Sequence, residues 1–230
     1  IEESTPRTIH LKRETVQINN VIYSGIIRPG VGYVSLEEFN ASATKELKAA
    51  LSTLKQAGMQ KLILDLRENP GGLLTQAVDI CNLFLAKETK IVETRGKVED
   101  WNKTYTALNA SFDSDIPLII LINGHSASAA EIVAGVMQDY DRAVLVGKKS
   151  YGKGLVQVTR DLPYRTKMKI TTAKYYIPSG RCIQAIDYQN KNADGQAVAY
   201  KDSSIKTFKT QNPIQHQLQL QHNTSIDHTP

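Results

Sequence analysis

The stretch Pro117-Leu-Ile-Ile-Leu-Ile-Asn123-Gly-His-Ser-Ala-Ser-Ala-Ala-Glu131 decides the architecture. Pro117 to Ile122 is apolar at every position, the pattern of a strand buried on both faces, and it passes through a short polar turn into a helix predicted from Ala129 to Tyr140. The same arrangement stands upstream. Lys61 to Leu66 is a compact apolar run ending in Asp65-Leu-Arg-Glu-Asn-Pro-Gly-Gly72, a buried strand entering a tight turn, and a helix is predicted from about Leu74 to Leu85. Before it, Leu47, Ala50, Leu51 and Leu54 recur at helical spacing from about Ser42 to Gln56, with Gly58 as the stop. A strand from Ala143 to Val146 follows the last helix. Strand and helix alternating in this order imply an α/β fold whose core is a parallel sheet with right-handed crossovers.

Outward from that core the elements are shorter. Residues 8 to 36 read as strands separated by turns, with Val31, Tyr33 and Leu36 leading into Phe39. A strand is expected near Lys90 to Glu93, then a polar connection over Lys97 to Ser114. Lys167 to Ile177 alternates and is rich in Thr, Tyr and Ile, as a strand or hairpin arm does. After about Gln211 the composition turns to Gln, His, Asn and Thr, so residues 211–230 are expected to form a mobile tail without a packed core.

The chain has 230 residues, 41% of them hydrophobic and 22% charged, enough for one globular domain with an appendage. Its net charge of +5 is spread among alternating acids and bases, whereas a nucleic-acid footprint needs a clustered basic face; no nucleic-acid partner is expected. No run approaches the ~18 apolar residues of a membrane span, and no basic-then-apolar signal pattern opens the chain. Cys81 and Cys182 lack metal-knuckle spacing; a lone pair is either a disulfide or two buried thiols, and their apolar segments favour buried thiols. The five His residues include no H-E-x-x-H, so neither a metal nor a cofactor is expected.

A serine hydrolase needs a nucleophile, a base within reach, and donors for the oxyanion, often at a helix N-terminus. Ser128 stands at such a mouth, and the N–H of Ala129 would point toward an anion there. Ser128-Ala-Ala-Glu131 also fits the capping box S/T-x-x-E, in which Ser128 would merely cap the helix, a contribution of about 1 kcal/mol. Ser126 is a rival cap that would free Ser128. In Ser150-Tyr-Gly-Lys-Gly-Leu-Val-Gln157, glycines flank Lys153 and would let the backbone carry its side chain inward. Desolvation in an apolar pocket would lower the amine from its free pKa near ~10.4 and make it a base; a solvated lysine on a Gly-rich turn is the plainer alternative.

Competing motifs fail on particular residues. Gly147 to Lys153 matches G-x-x-x-x-G-K, but Gly154 stands where a nucleotide P-loop needs Ser or Thr. Ser150-Tyr-Gly-Lys153 matches S-x-x-K, yet Gly152 and Gly154 oppose the helical turn that motif requires, and neither S-D-N nor K-T-G occurs. Gly124-His-Ser-Ala-Ser128 lacks the final glycine of an esterase elbow, and His125 has no evident orienting carboxylate.

Taken together, Asp65-Leu-Arg-Glu-Asn-Pro-Gly-Gly72, Asn123-Gly-His-Ser-Ala-Ser-Ala-Ala-Glu-Ile132 and Tyr151-Gly-Lys-Gly-Leu-Val-Gln157 resemble the carboxyl-terminal processing proteases, the tail-specific S41 peptidases. Ala134-Gly-Val-Met-Gln-Asp139 with Arg142, and Thr171-Thr-Ala-Lys-Tyr-Tyr-Ile-Pro-Ser-Gly-Arg181, extend the likeness, which runs from about Thr8 to Thr210. The resemblance implies a crotonase-like core of stacked ββα units beside a small β-rich region. It implies Ser128 as nucleophile, Lys153 as general base and Gln157 as the residue holding the amine. It also implies an oxyanion hole from the N–H of Ala129 and one in the Asn-Pro-Gly-Gly turn, Gly72 in preference to Gly71.

The substrates implied are unfolded or C-terminal segments of proteins, and the compartment is the bacterial periplasm or cell envelope. Family members usually carry a PDZ domain that captures substrate C-termini. Here residues 1–20 read as the end of that side and a linker, with Ile9 to Arg13 as the return into a protease domain spanning 21–210; the PDZ itself is not expected in this chain. Many members close on a Gly-Gly-Gly-Ile-x-Pro-Asp segment, where this sequence runs into Asn212-Pro-Ile-Gln-His.

Overall fold

Pro29-Gly30 joins the first two strands, β1 (Val21–Arg28) and β2 (Val31–Leu36), into an antiparallel hairpin, with Gly30 at φ 72. These strands open the computed structural model, which describes residues 8–12, 14 and 18–200. The predicted tail at 211–230 and Arg13 lie outside the described residues.

From β2 the chain enters α1 (Ala43–Gln56), whose Leu47, Leu51 and Leu54 are buried one turn apart, the stripe foreseen from spacing. Its end is a Schellman motif: Met59 N–H donates to Leu54 O at 2.9 Å and Gly58 N–H to Lys55 O at 3.0 Å, with Gly58 at φ 85 where a side chain would be strained. β3 (Lys61–Asp65), α2 (Leu74–Phe84), β6 (Leu118–Ile122), α3 (Ala129–Asp139) and β7 (Val144–Gly147) follow, with β4 (Lys90–Gly96) and β5 (Lys103–Thr106) between α2 and β6. The main sheet has the order β1-β2-β3-β6-β7, parallel from β2 onward.

Because each crossover steps the same way along the sheet, right-handed connections put all three helices on one face. There α1 packs on α2 and α2 on α3. Val34, Leu36, Leu62, Leu64, Leu118 and Ile120 are buried beneath them with Phe39 and Phe84. The other face has no such cover among the described residues. This corrects the expectation of two-sided burial for Pro117–Ile122: Ile119, in register with Ile63, is 36% exposed. A run of apolar residues thus marked a strand whose alternation comes from the layer order, not from its composition.

A second, antiparallel sheet has the order β5-β4-β9-β8, where β8 (Leu155–Leu162) and β9 (Thr166–Tyr176) form a long hairpin. β9 matches the alternating pattern of Lys167 to Ile177. β5 lies within the stretch Lys97 to Ser114 expected as polar connection, because Lys103-Thr-Tyr-Thr lies largely toward solvent and shows no apolar face. β10 (Ile186–Lys191) and β11 (Ala197–Ala199) form a small hairpin also missed, although Asp194-Gly195 carries the turn signal. The end of α3 is tied to the turn after β9: Arg181 Nη2 lies 2.6 Å from Asp139 Oδ1, and Ser179 N–H donates to Asp139 Oδ2 at 2.9 Å. Cys81 and Cys182 are free thiols, the first fully buried and the second partly; burial raises the pKa of both.

Candidate active site

Three loops leave the carboxyl ends of adjacent parallel strands: residues 66–73 after β3, 123–128 after β6, and 148–154 after β7. Such an edge is where open α/β sheets place ligands. Buried Asn69 organises the first two. Its Nδ2 donates to Leu36 O at 2.7 Å, its Oδ1 accepts Gly71 N–H at 2.8 Å, and its backbone O accepts Ala127 N–H at 2.9 Å. Buried Ser126 is not the cap: its hydroxyl donates to Leu66 O at 2.7 Å and accepts Asn123 N–H at 3.0 Å.

Ser128 stands at the N-cap position of α3, and the Glu131 arm of the capping box is made, with Glu131 Oε2 accepting the Ser128 N–H at 2.8 Å. Its backbone is unlike that of an ordinary cap. Ser128 sits at φ 55, ψ −114, a conformation that costs a non-glycine residue about 1–3 kcal/mol and that a cap does not require. Gly71, at φ 97, packs directly on this turn; a Cβ there would lie 2.6 Å from Ala127 O and 2.8 Å from Ala129 N. The Gly71 N–H is taken by Asn69. The N–H groups of Gly72 and Ala129 have no acceptor among the described residues. Gly72 itself is wedged on Phe39, whose O accepts the next N–H, that of Leu73, at 2.8 Å.

The third loop is held by its backbone. Tyr151 N–H donates to Ser126 O at 3.0 Å, Ala185 N–H to Gly152 O at 3.0 Å, and Gly154 N–H to Gln184 Oε1 at 2.8 Å. Gly152 and Gly154 admit no side chain, since a Cβ on either would strike Ala185 or Gln184. These glycines therefore let segment 184–185 pack against the loop and do not carry Lys153 inward, which is the plainer alternative of a lysine on a Gly-rich turn. Lys153 is exposed, and its amine makes no hydrogen bond to Ser128 or Gln157 among the described residues. Gln157 is exposed on β8, with its Nε2 at 3.5 Å from Thr171 Oγ1.

Two side chains escaped the sequence reading. His125 does meet a carboxylate: its Nδ1 lies 2.6 Å from Glu68 Oε2, in an exposed pair that laces the first two loops together. Asn123 Nδ2 donates to Glu68 Oε1 at 2.6 Å in the same group. Their separation of 57 residues hid the pairing, and His125 makes no hydrogen bond to Ser128 among the described residues. Glu131, read only as half of a capping box, is buried and also accepts hydrogen bonds from Ser150, Gly152 and Lys153.

The model of peptidase family S41 matches residues 30–191, which include all three loops. The chain belongs to peptidase family S41. This S41 chain is 40% identical over 178 residues to a carboxyl-terminal-processing protease of Picosynechococcus sp., covering 76% of the chain and 42% of that protein. It is 42% identical over 235 residues to one of Synechocystis sp., covering 89% and 54%. Among solved structures, it is similar to a photosystem II D1 C-terminal processing protease, with TM-score 0.65 and 31% identity over 74% of this chain and 47% of that one. A Bacteroides fragilis structure shares the fold at TM-score 0.64 and 20% identity, covering 93% of this chain and 60% of its own. The S41 chain spans about half the length of the curated relatives it matches.

Proposed function

We propose that this chain is the catalytic part of a serine endopeptidase that cleaves proteins near their C-termini through a Ser128/Lys153 dyad. The observation that carries the reading is the strained Ser128 at the mouth of α3, beside two unengaged N–H groups. Ser128 Oγ attacks the scissile carbonyl carbon and gives its proton to the Lys153 amine. The resulting oxyanion is held by the N–H groups of Gly72 and Ala129. Collapse breaks the C–N bond as Lys153 returns the proton to the leaving amine, and water then hydrolyses the ester with Lys153 again taking and returning a proton. Gln157 would hold the amine toward Ser128. The β-α repeats with helices on one face support a crotonase-like core, and the bacterial relatives support a periplasmic or envelope location. No helix among the described residues is long and apolar enough to cross a membrane.

A second reading, a peptide-binding module that keeps the fold without cutting, is favoured by one observation: Lys153 and Gln157 are exposed and unbonded to Ser128. In the first reading, substrate or a further part of the protein closes over them. Incubating the intact protein with an unfolded substrate and identifying fragments by mass spectrometry separates the two. Fragments that vanish in Ser128→Ala support the peptidase; substrate binding with no fragments from folded parent protein supports the module.

A further inference from the structure

Glu131 is 4% exposed, and nothing in the dyad chemistry uses it. Its carboxylate nevertheless collects four donors. Oε1 accepts the Ser150 hydroxyl at 2.7 Å and Gly152 N–H at 2.6 Å; Oε2 accepts Ser128 N–H and Lys153 N–H, each at 2.8 Å. A capping box needs only the bond to Ser128. The other three run to the loop 148–154, 19 to 22 residues away in sequence. We propose that Glu131 is a positioning residue that clamps the Lys153 loop to the Ser128 turn, so that nucleophile and base hold a fixed separation. The proposal rests on the dyad reading above.

The loop is also tied to the 123–128 turn by Tyr151 N–H on Ser126 O, but Glu131 alone among the described residues bonds both Ser128 and Lys153. Gly152, at φ 87, and Gly154 give its backbone more freedom than any other residue type would. The Lys153 side chain has no partner among the described residues, so its reach toward Ser128 is set by the backbone from which it starts. Hydrogen bonds to a carboxylate are roughly twice as strong as those between neutral groups, and burial strengthens them further. A displacement of about 1 Å between reacting groups costs on the order of 100-fold in rate. A side chain bonded to both loops is placed to prevent that displacement.

The test is Glu131→Gln in the intact protein. Gln serves a capping box as well as Glu does, so a residue that only caps or packs would leave kcat near the parent value. A clamp fails with Gln, because the amide NH2 replaces one oxygen and faces hydrogen-bond donors that include at least one backbone N–H. The expected result is a kcat lower by about 100-fold with KM within about twofold. Amide exchange in unmodified protein provides a check that needs no variant: Ser128, Gly152 and Lys153 N–H should be protected together. Parent-like kcat in Glu131→Gln, or rapid exchange at Gly152 and Lys153 in the unmodified protein, overturns the clamp. Full activity in Ser128→Ala would instead overturn the dyad, and the exchange result stands apart from that outcome.

Discussion

The backbone N–H groups of Ser128 and Lys153 converge on a single oxygen, Oε2 of Glu131, at 2.8 Å each. The two residues of the proposed dyad are thus joined through the main chain although no hydrogen bond links their side chains among the described residues. Substitutions that alter the side chains and substitutions that alter the backbone should therefore fail in different ways.

Ser128 illustrates the first difference. Ser128→Ala should abolish turnover and cost at most about 1 kcal/mol as a lost cap. Ser128→Gly should be equally inactive yet more stable than Ser128→Ala, because glycine adopts φ 55, ψ −114 without the penalty of a Cβ, about 1–3 kcal/mol. Urea midpoints of the two variants give the order. Equal or reversed midpoints would show that the turn is unstrained.

Lys153→Arg keeps the charge but cannot deprotonate near neutral pH, so it should lose cleavage as fully as Lys153→Ala. Gln157→Ala should be milder, since in the proposed dyad Gln157 would orient the amine without moving the proton. Ser150→Ala removes one of the four donors on Glu131 and should cause a modest loss only. Initial rates on one peptide substrate rank the set; a dead Ser150→Ala beside an active Lys153→Arg would reopen the S-x-x-K reading.

Gly71→Ala would put a methyl group 2.8 Å from Ala129 N, one of the two donors of the proposed oxyanion site, at φ 97. Losing one such donor typically costs about 100- to 1,000-fold in kcat. The fall should appear in kcat with far-UV circular dichroism unchanged. An active, folded Gly71→Ala would move the oxyanion site elsewhere.

Asp65 gives a pH dependence. Its burial at the end of β3 would raise its pKa, but hydrogen bonds from Arg67 and from Tyr33, at 2.5 Å, outweigh that and hold it below the ordinary carboxylate range. A depressed folded pKa means stability that is present above the unfolded value, near ~3.9, and is lost as pH falls through the folded value. Asp65→Asn should lower stability at neutral pH and flatten its decline in acid. Denaturant midpoints of parent and variant that stay parallel down to acid pH would contradict this.

The helices and parallel strands were legible because each carries its own periodicity: Leu47, Leu51 and Leu54 mark α1 without reference to any neighbour. What stayed hidden depends on partners. Ile119 looks like its buried neighbours, and only the placing of all helices on one face leaves it at the surface. β5 is a strand because β4 pairs with it, not because Lys103-Thr-Tyr-Thr demands it. At the site, Ser128 and Lys153 were visible as residues in suggestive settings, but the sequence could not decide between an inward and a solvated Lys153, since flanking glycines are equally suited to close packing on Ala185 and Gln184. Glu131 was visible only as a cap, because a spacing of three describes one of its four bonds.

Asn69 joins the end of β2, through Leu36 O, to its own loop after β3 and to the loop after β6, through Ala127 N–H. Those contacts span 33 and 58 residues of chain, and closing such long loops is the slow, entropically costly part of folding. The Ser128 turn therefore has no template until β2, β3 and β6 lie side by side. A nascent or partly folded copy carries the serine without the geometry, so the proposed chemistry would stay silent until the sheet is assembled; during refolding, labelling of Ser128 by a serine-directed reagent should lag helix formation and follow assembly of the sheet.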